Sequence, residues 1–196
     1  DCVRIVRGQL RDRREAFLHL LRHGVFSGPV GPYKRLFDHA GMAFADVERL
    51  VESFGVEGAL GELVERGIYL TLDEFKSRRS IRRPGLEFLA EPSDFDIPLN
   101  HAHYEARTGG SRGPRLRIPV DLDLLTHEAA ETGLFLAEFG LSGAPTGMWR
   151  ELPPGMVGIK NWLRHAKLGR RIEKWFTQRK PIERLEDVKF HAFTVA

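Results

Sequence analysis

The chain has 196 residues, 42% of them hydrophobic and 29% charged, with a formal net charge of +3. This composition is typical of a folded globular protein and excludes a disordered chain; the mild charge favours an anionic ligand over a role as a nucleic-acid scaffold. A single cysteine, Cys2, excludes an internal disulfide framework and a cysteine metal cluster. Apolar runs are shorter than the ~20 residues of a membrane span and the first residues lack a signal-peptide core, which predicts a cytoplasmic protein.

The first 84 residues predict a helical layer. Thr71 and Glu74 form a capping box, the usual start of a helix. Gly24, Gly41 and Gly67 each follow an apolar-periodic segment and are expected to end a helix. The expected helices cover 9–23, 33–40, 46–54, 60–66 and 72–78.

An arginine-rich run, 78–83, ends at Pro84. Such a run favours a solvated surface turn, with contact to an anion or a partner as the alternative. Residues 86–100 carry Pro92 and Pro98 among scattered apolar positions, which predicts an extended and irregular segment.

The stretch 101–121 predicts a strand, a glycine-rich loop and a second strand. Alternation at 101–107 resumes at Leu116, Ile118 and Val120, and three glycines stand between. Glycines let backbone N–H groups close around an anion, so a phosphate is the natural ligand; an ordinary hairpin turn is the alternative. The loop is neither a Walker A loop nor a dinucleotide fingerprint, because the Gly-Lys and the directly following helix are missing.

After the loop, Asp121 is a good N-cap for an apolar stripe formed by Leu125, Ala129, Thr132, Leu136 and Phe139. A strand over 146–152 and helices over 159–168 and 171–178 follow, and 190–196 has the pattern of a strand. This order predicts an α/β fold, in which an N-terminal helical layer precedes the start of a mixed β-sheet with flanking helices.

The loop resembles the phosphate-binding loop of the adenylate-forming (AMP-binding) ligases, whose core is Ser/Thr-x-Gly-Ser/Thr-x-Gly followed by Pro and Lys or Arg. Thr108, Gly110, Ser111 and Gly113 fit this spacing, whereas Arg112 replaces a hydroxyl and Pro114-Arg115 come one residue early. The segments 33–41 and 71–75 are similar to the branch that holds phenylacetate-CoA ligases and bacterial acyl-protein synthetases.

The resemblance implies the N-terminal part of an enzyme that activates a carboxylic acid with ATP and Mg²⁺ and passes the acyl group to coenzyme A or a protein cysteine. It implies one incomplete domain over 1–196, with a helical region 1–84, a loop-bearing α/β part 85–196, and no small C-terminal domain. Such a fragment is expected to be inactive by itself. No catalytic residue and no Mg²⁺ ligand is assigned. The phosphate-binding residues implied are Thr108, Gly109, Gly110, Ser111, Arg112, Gly113 and Arg115.

A basic and aromatic segment, 160–180, supports a different function, a non-catalytic domain that binds nucleic acid or a partner protein. We expect Trp162 and Trp175 to be mostly buried, which makes nucleic acid a less favoured partner than the ligase substrates. His101 and His103 lie on one face of a strand but lack a third zinc ligand at a suitable spacing. His127 and Glu128 are expected at the surface. The sequence therefore predicts no metal site.

Overall fold

The computed structural model describes residues 1–99, 101–107, 117–150 and 156–177. The chain forms two compact units: Gly8–Asn100, and Asp1–Arg7 together with His101–Ala196. Helices combine with small sheets, as the sequence predicted. The predicted strand 190–196 lies outside the described residues, and the single incomplete domain stays a prediction.

Helices dominate Gly8–Asn100. We predicted that Gly24 ends a helix, and this is wrong. Gly24 lies inside a π-helix. A side chain at Gly24 would meet Ile97 Cγ2 at 3.1 Å, so this glycine allows close packing and does not stop the chain. Helices α1 to α5 are Cys2–Arg11, Arg13–Leu20, Pro32–His39, Phe44–Glu65 and Leu72–Phe75, and the π-helix is Leu21–Phe26.

Helix α4 is two helical segments separated at Gly55. This residue has φ 70° and ψ −177°, a conformation that is almost confined to glycine. The sequence predicted separate helices on either side of this point, and the break confirms it. Gly41 and Gly67 have φ 65° and 77°, which confirms that they follow helix ends.

Two short strands complete this unit. Strand β1, Ile81–Arg83, pairs antiparallel with β2, Leu86–Phe88, and a 3₁₀ helix, Pro92–Phe95, follows. The end of the arginine run is therefore a strand and not a solvated turn, which corrects the prediction. The core is apolar and is drawn from the helices and both strands, with the largest buried side chains at Phe37, Leu36, Ile81, Val47 and Val51.

In the other unit, the strands β3, Tyr104–Arg107, and β4, Arg117–Val120, form an antiparallel pair, and helix α6, Leu122–Glu138, follows. Strand β5, Gly147–Trp149, is joined through helix α7, Met156–Lys167, to strand β6, Lys174–Phe176, with which it pairs in parallel. The described strands thus form three two-stranded sheets.

Two predictions in this unit are wrong. The segment predicted as a helix over 171–178 contains strand β6, because Trp175 and Phe176 fit a pleated pairing with β5 better than another helical turn. Phe139, placed on the buried stripe of α6, is exposed, since α6 ends at Glu138 and the stripe is buried only around Leu125 and Ala129. Within the described residues, no helix has both the length and the apolar character needed to cross a membrane.

Candidate functional site

The β3–β4 hairpin holds the glycine-rich segment between its paired ends. Tyr104 pairs with Val120 at the base, and Arg107 pairs with Arg117 at the other end. Cα atoms of directly paired residues are about 4.5–5.5 Å apart, so the two ends of the segment 108–116 start as neighbours. The predicted strand–loop–strand arrangement is therefore confirmed for both strands.

The residues predicted to bind phosphate lie outside the described residues. This concerns Thr108, Gly109, Gly110, Ser111, Arg112, Gly113 and Arg115. The structure describes the two strands, β3 and β4, that flank these residues in the chain. Across these two strands, Arg117 Nη1 lies 3.6 Å from Glu105 Oε2, so the arginine forms an ion pair with this carboxylate.

Asp121 fastens the base of the hairpin to helix α6. Its carboxylate accepts hydrogen bonds from the N–H groups of Asp123 and Leu124, at 2.7 and 3.3 Å, which confirms the predicted N-cap. It also accepts from the N–H of His101, at 3.0 Å. The hydrogen bonds from Asp123 and His101 outweigh the opposing effect of burial and lower the pKa of Asp121.

The two histidines before β3 are tied to the backbone. The N–H of His103 donates to the carbonyl of Val120, and its ring Nδ1 lies 2.9 Å from the carbonyl of His101 and 3.3 Å from the N–H of Leu122. A protonated Nδ1 donates to the carbonyl, whereas a bare Nδ1 accepts from Leu122. In the part of the chain that the structure describes, no three His, Cys, Asp or Glu residues are grouped to hold a metal ion.

Glu128 and Lys160 form an ion pair that joins helices α6 and α7. Lys160 Nζ lies 2.7 Å from Glu128 Oε1, and both side chains are about two-thirds buried. Glu128 and its neighbour His127 are both partly buried, which corrects their prediction as surface residues. The spacing gave a signal, because Glu128 lies three residues after the buried Leu125, on the inward side of α6.

Tyr104 brings strand β3 to the same ion pair. Burial raises the pKa of its phenol, and the negative charge of Glu128 raises it further. The Tyr104 hydroxyl is buried without a hydrogen-bond partner among the described residues. The neutral phenol of Tyr104 is therefore a hydrogen-bond donor that the described residues leave unused. It lies on strand β3, which precedes the glycine-rich segment.

Much of the basic segment 160–180 is engaged within the protein. Arg164 donates to Asn161 and Lys167 to Thr126. Arg170 donates to the carbonyls of 141, 142 and 144 and to the hydroxyl of Thr146. These cations fix the unit's own loops and helices, and they are not a free anion-binding surface.

The expected burial of the two tryptophans is only partly found. Trp162 is 47% exposed, so that prediction is wrong for this residue. Trp175 is half-buried, and its indole N–H donates to the carbonyl of Arg150 at 3.0 Å. Helix α7 packs on α6 and β3 and leaves the Trp162 side of its surface open to solvent.

A second concave site lies within Gly8–Asn100. This groove has a volume of about 890 Å³, within the size range of small-molecule sites, and it is bordered by α4, the π-helix and the segment 93–98. Its lysine, Lys34, donates to the Asp38 carboxylate at 2.6 Å. The groove therefore lacks a free cation for a phosphate, and its largely apolar lining suits an apolar group.

The described residues thus form helices and small two-stranded sheets, and the paired strands β3 and β4 flank the glycine-rich segment 108–116 in the chain. No family model, curated protein or solved structure matches this chain.

Proposed function

We propose that this chain is the N-terminal part of an ATP-dependent ligase that activates a carboxylic acid as its acyl-adenylate and then transfers the acyl group to a thiol of coenzyme A or a protein. The observation that carries the proposal is the hairpin. Its strands pair from Tyr104–Val120 to Arg107–Arg117 and leave only the segment 108–116 between them. A glycine-rich segment with paired ends can fold its backbone N–H groups around one anion.

The chemistry makes a limited demand on the protein. An oxygen of the substrate carboxylate attacks the α-phosphorus of ATP, and pyrophosphate leaves with the electron pair of the broken P–O bond. The nucleophile belongs to the substrate, so the protein has to hold the triphosphate in line and balance its charge. Backbone N–H groups of Gly109, Gly110 and Gly113 and the hydroxyls of Thr108 and Ser111 would do the first.

The balancing charge is assigned to Arg112 and Arg115. Arginine presents parallel N–H donors that match two phosphate oxygens. The neighbouring Arg117 is not assigned this role, because it pairs with Glu105 at 3.6 Å. Mg²⁺ is expected with ATP, and the same resemblance implies no ligand for it in this chain.

The finer fold proposal follows from the same resemblance. The hairpin and the parallel β5–β6 pair are the beginning of a mixed sheet with flanking helices, as in the large domain of adenylate-forming enzymes. The unit contains one antiparallel and one parallel pair, the two kinds of pairing that a mixed sheet combines, in two separate two-stranded sheets.

Calorimetric titration with Mg-ATP tests the proposal. An arginine that meets a phosphate contributes about 1.5–3 kcal/mol, so Arg112→Ala or Arg115→Ala is expected to weaken ATP binding about 10- to 150-fold. Gly110→Val is expected to abolish binding, because a β-branched side chain forbids positive φ and fills the phosphate's place.

Arg79→Ala is the matched control, since it removes the same charge from a side chain that is 78% exposed in Gly8–Asn100. Circular dichroism confirms that each variant is folded. If Arg112→Ala, Arg115→Ala and Gly110→Val all bind ATP as Arg79→Ala does, the segment is an ordinary hairpin turn and the ligase proposal fails.

A further inference from the structure

The parallel β5–β6 pair presents two aromatic rings on its outward face. Trp149 lies directly opposite Phe176 in the register, and they are 67% and 53% exposed. Directly paired residues point to the same side of a sheet, whereas their neighbours Met148 and Trp175 point to the other. The burial agrees, because Met148 is buried and Trp175 is half-buried.

Contacts on both faces of the strand pair surround the two aromatic residues. Gly147 shares the outward face, and a Cβ there would lie 3.4 Å from the Phe176 ring, so the ring lies over this glycine. Trp175 anchors the other side of the pair through its indole N–H. Neighbouring strands lie about 4.7–4.9 Å apart, and each of the two rings exposes its own face on this side of the pair.

Three cations lie in the β5–β6 pair or next to its ends in the chain. Lys174 is on the outward face two residues before Phe176, Arg150 follows Trp149, and Arg171 precedes the strand; all three are exposed. Among the described residues, the side chains of these cations have no ion-pair or hydrogen-bond partner. Glu173 precedes strand β6 and is also exposed, so cations outnumber acids three to one among these residues.

We propose that this face, formed by Trp149, Phe176 and Lys174 with Arg150 and Arg171 at its edge, binds single-stranded nucleic acid. Aromatic rings on adjacent strands are stacking platforms for unpaired bases, and cations beside them meet the phosphates. An apolar protein partner would satisfy the rings but leave three cations unmatched. The charge therefore favours a polyanion with planar groups, and this site is independent of the ATP segment.

Titration of the whole chain with a short oligothymidylate at low salt, followed by tryptophan fluorescence and by anisotropy of a labelled strand, tests the proposal. Trp149→Ala and Phe176→Ala are each expected to raise Kd about 5- to 150-fold, the effect of losing one stacked base. Trp149→Phe should keep most of the affinity and lose most of the quenching.

Two controls separate stacking from general effects. Phe139→Ala removes an equally exposed ring from α6 and should leave Kd unchanged. Lys174→Gln should make the slope of log K against log salt shallower by about 0.7, the value for one phosphate contact on a single strand. Lys76→Gln, which removes one charge from Gly8–Asn100, should leave the slope unchanged.

Three results would overturn the proposal. The first is equal Kd values for Trp149→Ala and Phe139→Ala. The second is binding of duplex DNA as tight as that of the single strand, because duplex base faces cannot stack on a protein ring. The third is an absence of oligonucleotide binding by the parent chain, including the case in which the chain dimerises through Trp149. Unchanged thermal unfolding of the variants confirms that a weaker Kd reflects a lost contact.

Discussion

The buried pair of Glu74 and Arg83 yields the sharpest stability prediction. Arg83 Nη1 lies 2.9 Å from Glu74 Oε1, and each side chain is only 8% exposed. Arg83 also donates to the carbonyls of Gly67 and Tyr69, and its guanidinium stacks on the Tyr69 ring. The other oxygen of Glu74 accepts from the N–H of Thr71 at 2.7 Å, the predicted capping box.

Removal of the Glu74 carboxylate leaves a buried guanidinium without its counter-charge. Glu74→Ala is therefore expected to lower the free energy of unfolding by about 3–5 kcal/mol, out of roughly 5–15 kcal/mol for an ordinary domain. Urea unfolding followed by circular dichroism measures this, with a midpoint lowered on the order of 2 M. The double variant Glu74→Leu with Arg83→Met should cost less than the sum of the two single changes, because it leaves no orphaned charge.

The neighbouring exposed pair provides the control. Arg82 lies 2.8 Å from Glu87, and these side chains are 74% and 54% exposed, so Glu87→Ala should cost about 0–1 kcal/mol. If Glu74→Ala costs no more than Glu87→Ala, the burial of the pair has no energetic consequence and the reasoning is refuted.

The same pair predicts an acid dependence. Burial acts to raise the pKa of Glu74, but the hydrogen bonds from Arg83 and Thr71 and the charge of Arg83 outweigh it and lower the pKa. The stabilisation is therefore fully present above the pKa of an unfolded glutamate, about 4.3, and is lost as the pH falls towards the lower folded-state value. Glu74→Gln should lose less stability over this acid range than the parent, and an identical loss would contradict the shift.

Three further outcomes are expected. Gly55→Ala should destabilise the protein by about 1–3 kcal/mol because Gly55 has a φ of 70°. Gly61→Ala, on the same helix and with open space around it, should stabilise the protein by up to about 1 kcal/mol. If thermal unfolding shows changes in stability of the same sign for both variants, the break in α4 is contradicted. Ser77 has φ 54° and a buried hydroxyl without a partner among the described residues, so Ser77→Gly should raise the unfolding free energy by up to about 1 kcal/mol, with Ser77→Ala, which keeps the strain, as the comparison. This chain alone should show no ATP–pyrophosphate exchange with aryl or fatty acids, and robust exchange would overturn the fragment proposal.

Local signals in the sequence predicted the local features well. Asp121 and Thr71 were recognised as caps because a cap depends only on the next three residues. The helix ends at Gly41 and Gly67 were predicted for the same reason, since a positive φ is a property of one residue, whereas the same signal failed at Gly24.

Features that depend on distant partners could not be predicted. The burial of Arg83 requires carbonyls 14 and 16 residues earlier in the chain, which no periodicity reveals. Strand β6 exists because β5 lies beside it, and its own sequence fits a helix as well. The assignment of residues that bind phosphate is based on a family resemblance alone, and it stays a prediction.

The hydrogen bonds of Arg170 have a consequence for the order of folding. Its guanidinium holds the turn between α6 and β5, yet it comes 24 to 29 residues after the groups it binds. Strand β5 has the same dependence, because its parallel partner β6 follows only after helix α7. During synthesis, both the turn and β5 must therefore wait until a later part of the chain has been made. Slow formation of α7, or a mutation that disrupts it, would thus leave residues 141–149 accessible to proteases after the preceding helix α6 has been synthesised.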